Sequence, residues 1–237
     1  MSIKLIAMDL DGTLSQHKSH LPEENKNALA ELSKKYKLVM VGAGQVTRIW
    51  NQMERFPIDI IGNYGLQYAE YNPTTDSLDI KRDLVFPCDR KSVEERIIML
   101  REKYGFTHFS GDCTEFHPSG CVTFPILGTK ANPDDKLSFD PDRKKRRAIY
   151  REVSKVFSDY VVFVGGSSSF DMAPKPYDKR YALTLYCEEH GFKPCEVVFI
   201  GDDYGCGGND ESVYLSDFGF ITIDDYRTFP EKVKHLL

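Results

Sequence analysis

The chain of 237 residues begins with an apolar run, Ile3 to Met8, that ends in Asp9-Leu10-Asp11-Gly12-Thr13. A short apolar run followed by turn residues is typical of a buried strand, which other elements must cover on both faces. Two carboxylates at this spacing raise each other's pKa unless a cation compensates them. An Asp-Gly turn with a capping threonine is the simpler interpretation. The passage therefore predicts a strand that ends either in a plain turn or in a charged site.

Further apolar runs at 37 to 42, 58 to 62, 197 to 201 and 218 to 223 repeat this pattern. Helical stretches lie between several of them, including one that opens at Pro22 and one from Asp178 to His190 that ends before Gly191. Proline near the start of a helix and glycine just past its end are the expected boundary residues. The alternation predicts an α/β fold with a doubly wound parallel sheet, in which ligands bind at the carboxyl ends of the strands.

Three later segments supply groups that the first acidic pair lacks. Asp178-Lys179 offers an amine, and the run at 197 to 201 continues into Asp202 and, through a glycine-rich stretch, to Asp210. The run at 37 to 42 leads into Gly42-Ala43-Gly44, where backbone N–H groups can face an anion. Carboxylates, an amine and an anion-binding loop are the parts that phosphoryl transfer requires.

In this order, the four segments resemble the motifs of the haloacid dehalogenase (HAD) superfamily of aspartate-nucleophile phosphotransferases. The resemblance implies that Asp9 attacks phosphorus, that Asp11 acts as acid and base, and that Lys179 balances the charge. It also implies a Mg²⁺ ion held by Asp9, the backbone carbonyl of Asp11, Asp202 and Asp210, since hard oxygen ligands suit that ion.

A narrower resemblance covers most of the chain. The segments Gly165 to Asp171, Pro174 to Arg180 and Gly201 to Asp210 are similar to those of the eukaryotic-type phosphomannomutases, a branch with a large inserted cap. This resemblance implies that Ser169 and Asp171 contact a hexose phosphate. A serine-rich turn beside a strand is the alternative interpretation of those two residues.

The chain also departs from the mutase pattern at positions that bind phosphate. Where the family carries cap arginines, this sequence has His117, Thr129 and Lys136, so Lys136 is the one firm cation left to bind substrate. At the second motif, where a serine or threonine is expected, it has Gly44, or Ala43 in a shifted register. A weakened clamp on the distal phosphate leaves water as the acceptor. We therefore expect hydrolysis of a small phosphomonoester such as a sugar phosphate, with a hexose phosphate mutase and an inactive binding protein as alternatives.

The resemblance and a change of pattern near residue 85 divide the chain into two domains. We expect residues 1–84 and 177–237 to form a discontinuous HAD-like core, and residues 85–176 to form the inserted α/β cap. In the cap, Ser92 and Glu95 are predicted to form a capping box, and Asp140-Pro141 to start a helix that runs to Phe157. The basic run 143 to 147 is interpreted as a solvated helix face. Cap strands are expected at 106 to 110, 114 to 117, 121 to 125, 160 to 164 and 169 to 172.

The composition of the chain limits the classes of binding partner that we expect. The formal net charge of −5 argues against general binding to nucleic acid or to a membrane surface, because such binding depends on a cationic field. The short apolar run at the N-terminus and the lack of an apolar stretch near ~20 residues predict a cytoplasmic protein. The expected partner is a small phosphate ester, and a homodimer through the cap is left open.

Overall fold

The computed structural model describes residues 2–17 and 19–237. These residues form two compact units. The core unit comprises Met1–Leu84, Asp178–Gly205 and Asp210–Leu237, and the cap unit comprises Val85–Tyr177 and Cys206–Asn209. No helix among the described residues is both long and apolar enough to cross a membrane.

The strands in chain order are β1 (Leu5–Met8), β2 (Lys37–Val41), β3 (Asp59–Gly62), β4 (Gln67–Asn72), β5 (Ser77–Asp83), β6 (Glu115–Phe116), β7 (Val122–Pro125), β8 (Tyr160–Phe163), β9 (Ser169–Pro174), β10 (Val197–Gly201) and β11 (Gly219–Thr222). The α-helices are α1 (Glu23–Leu32), α2 (Val46–Gln52), α3 (Arg90–Tyr104), α4 (Pro133–Phe139), α5 (Lys144–Val156), α6 (Lys179–His190), α7 (Glu211–Tyr214) and α8 (Phe229–Val233). Short 3₁₀ helices lie at Asn63–Gly65, Pro194–Glu196, Tyr226–Thr228 and Lys234–Leu236.

The core unit is built on a seven-stranded sheet in the order β11-β10-β1-β2-β3-β4-β5. The five strands from β11 to β3 are parallel, and β4 and β5 extend the sheet as an antiparallel hairpin. All four residues of β1 are fully buried, and alternate side chains enter two separate apolar clusters on the two faces of the sheet. The predicted α/β fold with a mostly parallel core sheet is therefore confirmed.

Helix α6 has the boundaries that its sequence indicates. The Asp178 carboxylate accepts the Tyr181 N–H at 2.7 Å as the N-cap, and Gly191 ends the helix in the left-handed region with φ 73°. Because Asp178 is the cap, Lys179 is the first helical residue and its side chain is fully buried. The helix boundary thus fixes where the buried amine lies.

The cap unit contains a separate antiparallel sheet in the order β6-β7-β9-β8. Its apolar core includes Val93, Ile97 and Leu100 from α3, with Phe124 and Phe170 from the sheet. Four of the five expected strands are present, but 106 to 110 is not a strand. The buried Arg101 of α3 donates to the Phe106 carbonyl at 2.9 Å, which holds the start of the 106 to 110 segment against the end of that helix.

Two predicted helix starts in the cap need correction. Helix α3 begins at Arg90, because Asp89 accepts the Ser92 N–H at 3.1 Å and caps the helix before a Ser92–Glu95 box can form. The helix predicted from Asp140 begins at Lys144, because Arg143 before it has a left-handed backbone with φ 60°. Asp140 still accepts the N–H groups of residues 145 and 146, so it caps α5 from outside the helix.

The basic run 143 to 147 is not a wholly solvated face. The Arg146 side chain is 1% exposed, and its Nε donates to Asp140 Oδ2 at 2.9 Å. Its Nη1 donates to the carbonyls of Gly165, Gly166 and Ser169. Arg146 therefore joins the start of α5 to the loop that leads into β9, a role that composition alone does not reveal.

Candidate active site

Asp9 lies at the carboxyl end of β1, where the chain turns sharply. Its N–H donates to the Ile200 carbonyl at 2.9 Å, which extends the pairing with β10 by one residue. Gly12 has φ +100°, and a Cβ built on it would lie 2.4 Å from Asp202 Oδ2. Thr13 donates its hydroxyl to Asp202 Oδ1 at 2.8 Å. The turn therefore requires glycine, and it brings the carboxylate that follows β10 against the end of β1.

Three carboxylates converge at this edge of the sheet. Asp9, Asp202 and Asp210 each offer an oxygen, and these oxygens lie within 4.8 Å of one another. We call these three residues the acidic cluster. Lys179 Nζ lies 2.7 Å from Asp9 Oδ1 and 2.7 Å from Asp210 Oδ1, with no exposed side-chain surface. Four of the residues singled out in the sequence thus lie together in the core unit.

Asp210 is held by the backbone of the loop after β10. Its Oδ2 accepts the N–H groups of Asp202 at 3.1 Å and Asp203 at 3.0 Å. A Cβ on Gly201 would lie 2.5 Å from the same oxygen, so glycine is needed there as well. These bonds give Asp210 a fixed orientation within the acidic cluster.

The electrostatics of the acidic cluster favour a further cation. Burial raises the pKa of Asp9 well above its usual range, and the neighbouring lysine only partly opposes the shift. Burial, with the Asp210 charge, raises the pKa of Asp202 to about 7. Burial alone would lower the pKa of Lys179, but the two carboxylates outweigh it and raise that pKa. Three carboxylates beside one ammonium leave an excess of negative charge, so the cluster could bind a metal ion through oxygen ligands.

The Asp11 side chain lies outside the acidic cluster as the structure describes it. Gln52 Nε2 donates to Asp11 Oδ1 at 2.7 Å, and Arg48 Nη2 donates to Asp11 Oδ2 at 3.2 Å. Arg48 Nη1 also donates to Gln52 Oε1 at 2.7 Å. Neither partner was predicted from the sequence, although their spacing of four on the helix after Gly44 places them on one face.

The loop after β2 offers fewer backbone donors than its sequence suggests. The Gly42 N–H donates to the Ile61 carbonyl at 2.9 Å and continues the strand pairing. The Gly44 carbonyl accepts the Asn63 N–H at 2.8 Å. The N–H groups of Ala43 and Gly44 are therefore the better candidates for contact with an anion.

In the cap unit, the two predicted substrate contacts lie on neighbouring positions of one strand face. Asp171 Oδ1 accepts the Thr123 hydroxyl at 2.9 Å, and Thr123 Oγ1 lies 3.0 Å from His117 Nε2. Ser169 donates its hydroxyl to the Gly165 carbonyl at 3.1 Å. Thr123 was not singled out in the sequence, and only the register between β7 and β9 places it opposite Asp171.

Lys136 is placed differently from these residues. It lies in α4, and its Nζ donates to the Thr129 carbonyl at 3.0 Å. The Thr129 hydroxyl in turn accepts the Asp112 N–H at 2.9 Å. The structure thus shows Lys136 bonded to its own loop, and its contact with substrate stays a prediction.

Comparisons with known proteins agree with these motifs. A family model described as eukaryotic phosphomannomutase matches residues 106–233. The phosphomannomutase of Saccharomyces cerevisiae is 25% identical over 224 residues, which cover 90% of this chain and 85% of the relative. The phosphomannomutase of Encephalitozoon cuniculi is also 25% identical, with 98% of this chain and 94% of the relative covered.

Solved structures share the fold at lower identity. A phosphatase of the haloalkanoate (HAD) enzyme superfamily from Bacteroides thetaiotaomicron has a TM-score of 0.64 at 16% identity, with 99% of this chain and 95% of that chain covered. An IMP-nucleotidase of Plasmodium falciparum has a TM-score of 0.68 at 14% identity, with 98% of this chain and 68% of that chain covered. At this identity the likeness shows a HAD-like fold.

Proposed function

The chain belongs to the eukaryotic phosphomannomutase family of the HAD superfamily, a superfamily of phosphoryl-transfer enzymes, and from this we propose that it moves a phosphoryl group within a hexose phosphate through a covalent bond to Asp9. The observation that carries the proposal is the Asp9–Lys179 pair, 2.7 Å apart and buried beside two further carboxylates. The family and its curated relatives support the mutase reaction more strongly than the hydrolysis that the cap positions suggest.

In the first step, an oxygen of Asp9 forms a bond to phosphorus as the bond from phosphorus to the sugar oxygen breaks. Asp11 gives a proton to that leaving oxygen. Lys179 binds Asp9 Oδ1, so Oδ2 is the nucleophilic oxygen in this proposal. The lysine also offsets charge that builds on the transferred group.

Asp9, Asp202 and Asp210, with the backbone carbonyl of Asp11, would hold Mg²⁺. The ion would offset negative charge on the phosphoryl oxygens when bound. The excess of carboxylates over ammonium groups in the buried cluster is the physical reason for expecting it.

In the second step, a hydroxyl of the acceptor gives its proton to Asp11 and attacks the phosphorus on Asp9. The bond to Asp9 then breaks and restores the carboxylate. In the mutase reaction the donor of the first step is a hexose bisphosphate, which leaves as the hexose 6-phosphate product. The acceptor of the second step is a hexose 1-phosphate, whose phosphorylation restores the bisphosphate, and contacts from Ser169 and Asp171 are proposed to hold it. The Thr123–Asp171 hydrogen bond of 2.9 Å supports this by fixing one oxygen of that carboxylate.

Hydrolysis is the second candidate, and one observation favours it. The three cap positions where the family carries arginines hold a histidine, a threonine and a lysine here, and the lysine is bonded to its own loop (His117, Thr129, Lys136). Arginine binds phosphate through two parallel hydrogen bonds, which these residues cannot reproduce. Loss of that grip would leave water as the acceptor.

The experiment separates the two reactions. The purified protein is incubated with Mg²⁺ and a hexose 1-phosphate, with and without a hexose bisphosphate primer, and the products are followed by phosphorus NMR. A hexose 6-phosphate that forms only with primer supports the mutase, whereas orthophosphate release without primer supports the phosphatase. Asp9→Asn should abolish both signals while the circular dichroism spectrum stays unchanged. Turnover by Asp9→Asn would refute the nucleophile.

A further inference from the structure

Arg48 occupies the space next to Gly44, at the position where the motif resemblance leads us to expect a serine or threonine. A Cβ built on Gly44 would lie 2.2 Å from Arg48 Nη2 and 2.6 Å from its Cζ. A serine or threonine at position 44 therefore cannot coexist with the guanidinium in this position. Gly44 has no left-handed backbone angle that would itself demand glycine. The guanidinium therefore fills the space that a side chain at position 44 would use.

The same guanidinium faces the site. Arg48 Nη2 donates to Asp11 Oδ2 at 3.2 Å, and the arginine side chain is still 40% exposed. It therefore lies between the loop after β2 and the loop after β1, at the strand ends where the sheet places a ligand. A partly exposed guanidinium can take up an anion without breaking a buried ion pair.

The charges already present at the site also favour a role for Arg48. Lys179 is the buried cation of the acidic cluster, and it is already paired with Asp9 and Asp210. A phosphoryl group brings about two further negative charges near pH 7. A guanidinium beside the Gly44 N–H would supply both charge and directed donors to it.

We propose that Arg48 is a phosphoryl-binding residue of this site, acting in place of the hydroxyl that the Gly44 position lacks. Without phosphate it binds the Asp11 carboxylate, and with phosphate it exchanges that contact for phosphoryl oxygens. Gln52 keeps its hydrogen bond to Asp11 Oδ1 during the exchange. This inference rests on the proposed transfer of phosphate at Asp9.

The test uses orthophosphate binding, measured by titration calorimetry in the presence of Mg²⁺, because binding needs no proton transfer from Asp11. Arg48→Ala should raise the dissociation constant by about 10- to 100-fold. This corresponds to the loss of one charge-assisted contact, at about 1.4 kcal/mol for each tenfold change. Arg227→Ala is the matched control, since it removes an exposed arginine that pairs with Asp225, and it should leave binding unchanged.

A second pair of variants separates binding from positioning. Gly44→Ser alone should weaken orthophosphate binding, because its Cβ displaces the guanidinium. Gly44→Ser combined with Arg48→Ala should bind about fivefold more tightly than Arg48→Ala, since the hydroxyl then has room to bind phosphate. If Arg48 only positions Asp11, Arg48→Ala would lower kcat but leave the dissociation constant for orthophosphate unchanged, and adding Gly44→Ser would not improve binding. An unchanged dissociation constant in Arg48→Ala, or no gain from the added serine, overturns the proposal.

The orthophosphate-binding result can be judged separately from whether the enzyme converts a sugar phosphate. If the wild type binds orthophosphate through Arg48 but converts no sugar phosphate, the proposed function fails and the binding role stands. If the wild type turns over and Arg48→Ala binds orthophosphate normally, the binding role fails and the proposed function stands. A wild type that binds no orthophosphate with Mg²⁺ also overturns the binding role.

Discussion

Lys179 Nζ lies 2.7 Å from Asp9 Oδ1, and neither side chain has more than 6% of its surface exposed. The lysine comes from the first turn of α6 and the aspartate from the end of β1, so the pair joins two elements of the core unit. Buried charges of opposite sign stabilise a fold only while both are present, because a lone buried charge keeps its desolvation cost. Removing the lysine should therefore destabilise the core unit.

Replacing the lysine should unfold the core more readily. Lys179→Met leaves Asp9 and Asp210 buried without their ammonium, and the free energy of unfolding should fall by about 3 kcal/mol or more. Urea denaturation measures the change. Lys34→Met removes an exposed lysine whose partner is Glu31, and it should cost less than about 1 kcal/mol. Equal effects of the two substitutions would contradict the buried pair.

Glycine is required at position 12 for two reasons that a control can separate. Gly12→Ala adds a Cβ 2.4 Å from Asp202 Oδ2 at φ +100°, so it should both destabilise the fold and move a ligand of the acidic cluster. Gly191→Ala has a similar backbone demand, φ +73°, with nothing within 4 Å, and should cost only about 1–2 kcal/mol of backbone strain. The rise in melting temperature on adding Mg²⁺ should be lost in the first variant and retained in the second. Retention in both would mean that Asp202 tolerates the displacement.

Metal binding should depend on the acidic cluster rather than on net charge. Asp202→Asn removes one ligand and should weaken Mg²⁺ binding by at least about tenfold, since even outer partners of metal ligands contribute that much. Asp76→Asn removes the same charge from an exposed turn and should have no effect. Calorimetric titration of both variants with Mg²⁺ checks this. A matching loss in Asp76→Asn would point to a general charge effect.

The buried pair in the cap should give a pH-dependent stability. Burial tends to raise the pKa of Asp140, but hydrogen bonds from Arg146 and the backbone outweigh it and hold that pKa below its usual value of 3.8. A lowered carboxyl pKa contributes stability that is present above the unfolded value and is lost as pH falls through the folded value. Asp140→Asn should therefore lower the melting temperature at pH 7, with a difference that shrinks below about pH 4.

Thermal unfolding at pH 7 and pH 3 measures that difference. Asp142→Asn, on the same loop but exposed, should change the melting temperature far less at either pH. A gap between Asp140→Asn and wild type that stays constant down to pH 3 would assign the effect to packing rather than to charge.

Local signals predicted the parts of the fold that depend on neighbours in sequence. The ends of α6 follow from Asp178 and Gly191, and the central parallel strands follow from their apolar runs. Strands β4 and β5 were missed because polar residues interrupt β4, and because β5 carries charged, mostly exposed residues at the edge of the sheet. An edge strand of this kind has neither the apolar run nor the alternation that marks a buried strand.

The residues of the candidate site also differ in whether the sequence predicted them. Asp9 and Asp202 directly follow strands β1 and β10, so the apolar runs indicated them, whereas Asp210 lies before α7 and came from the motif resemblance. The contacts of Arg48 with Asp11, and of Arg146 with Asp140 and the 165–169 loop, depend on turns and on the packing of helices. The spacing of residues along the chain does not predict either set of contacts. For a basic run, composition instead predicts a solvent-exposed surface.

The place of β1 between β2 and β10 has a consequence for how the protein is made. Its partner β10 lies roughly 190 residues further along the chain, which a ribosome adds in roughly 10 to 40 s. Throughout that time the growing chain exposes one apolar strand edge, the kind of surface that chaperones shield. The acids that would hold the metal gather only after translation has passed Asp210, so a nascent chain cannot begin the chemistry early.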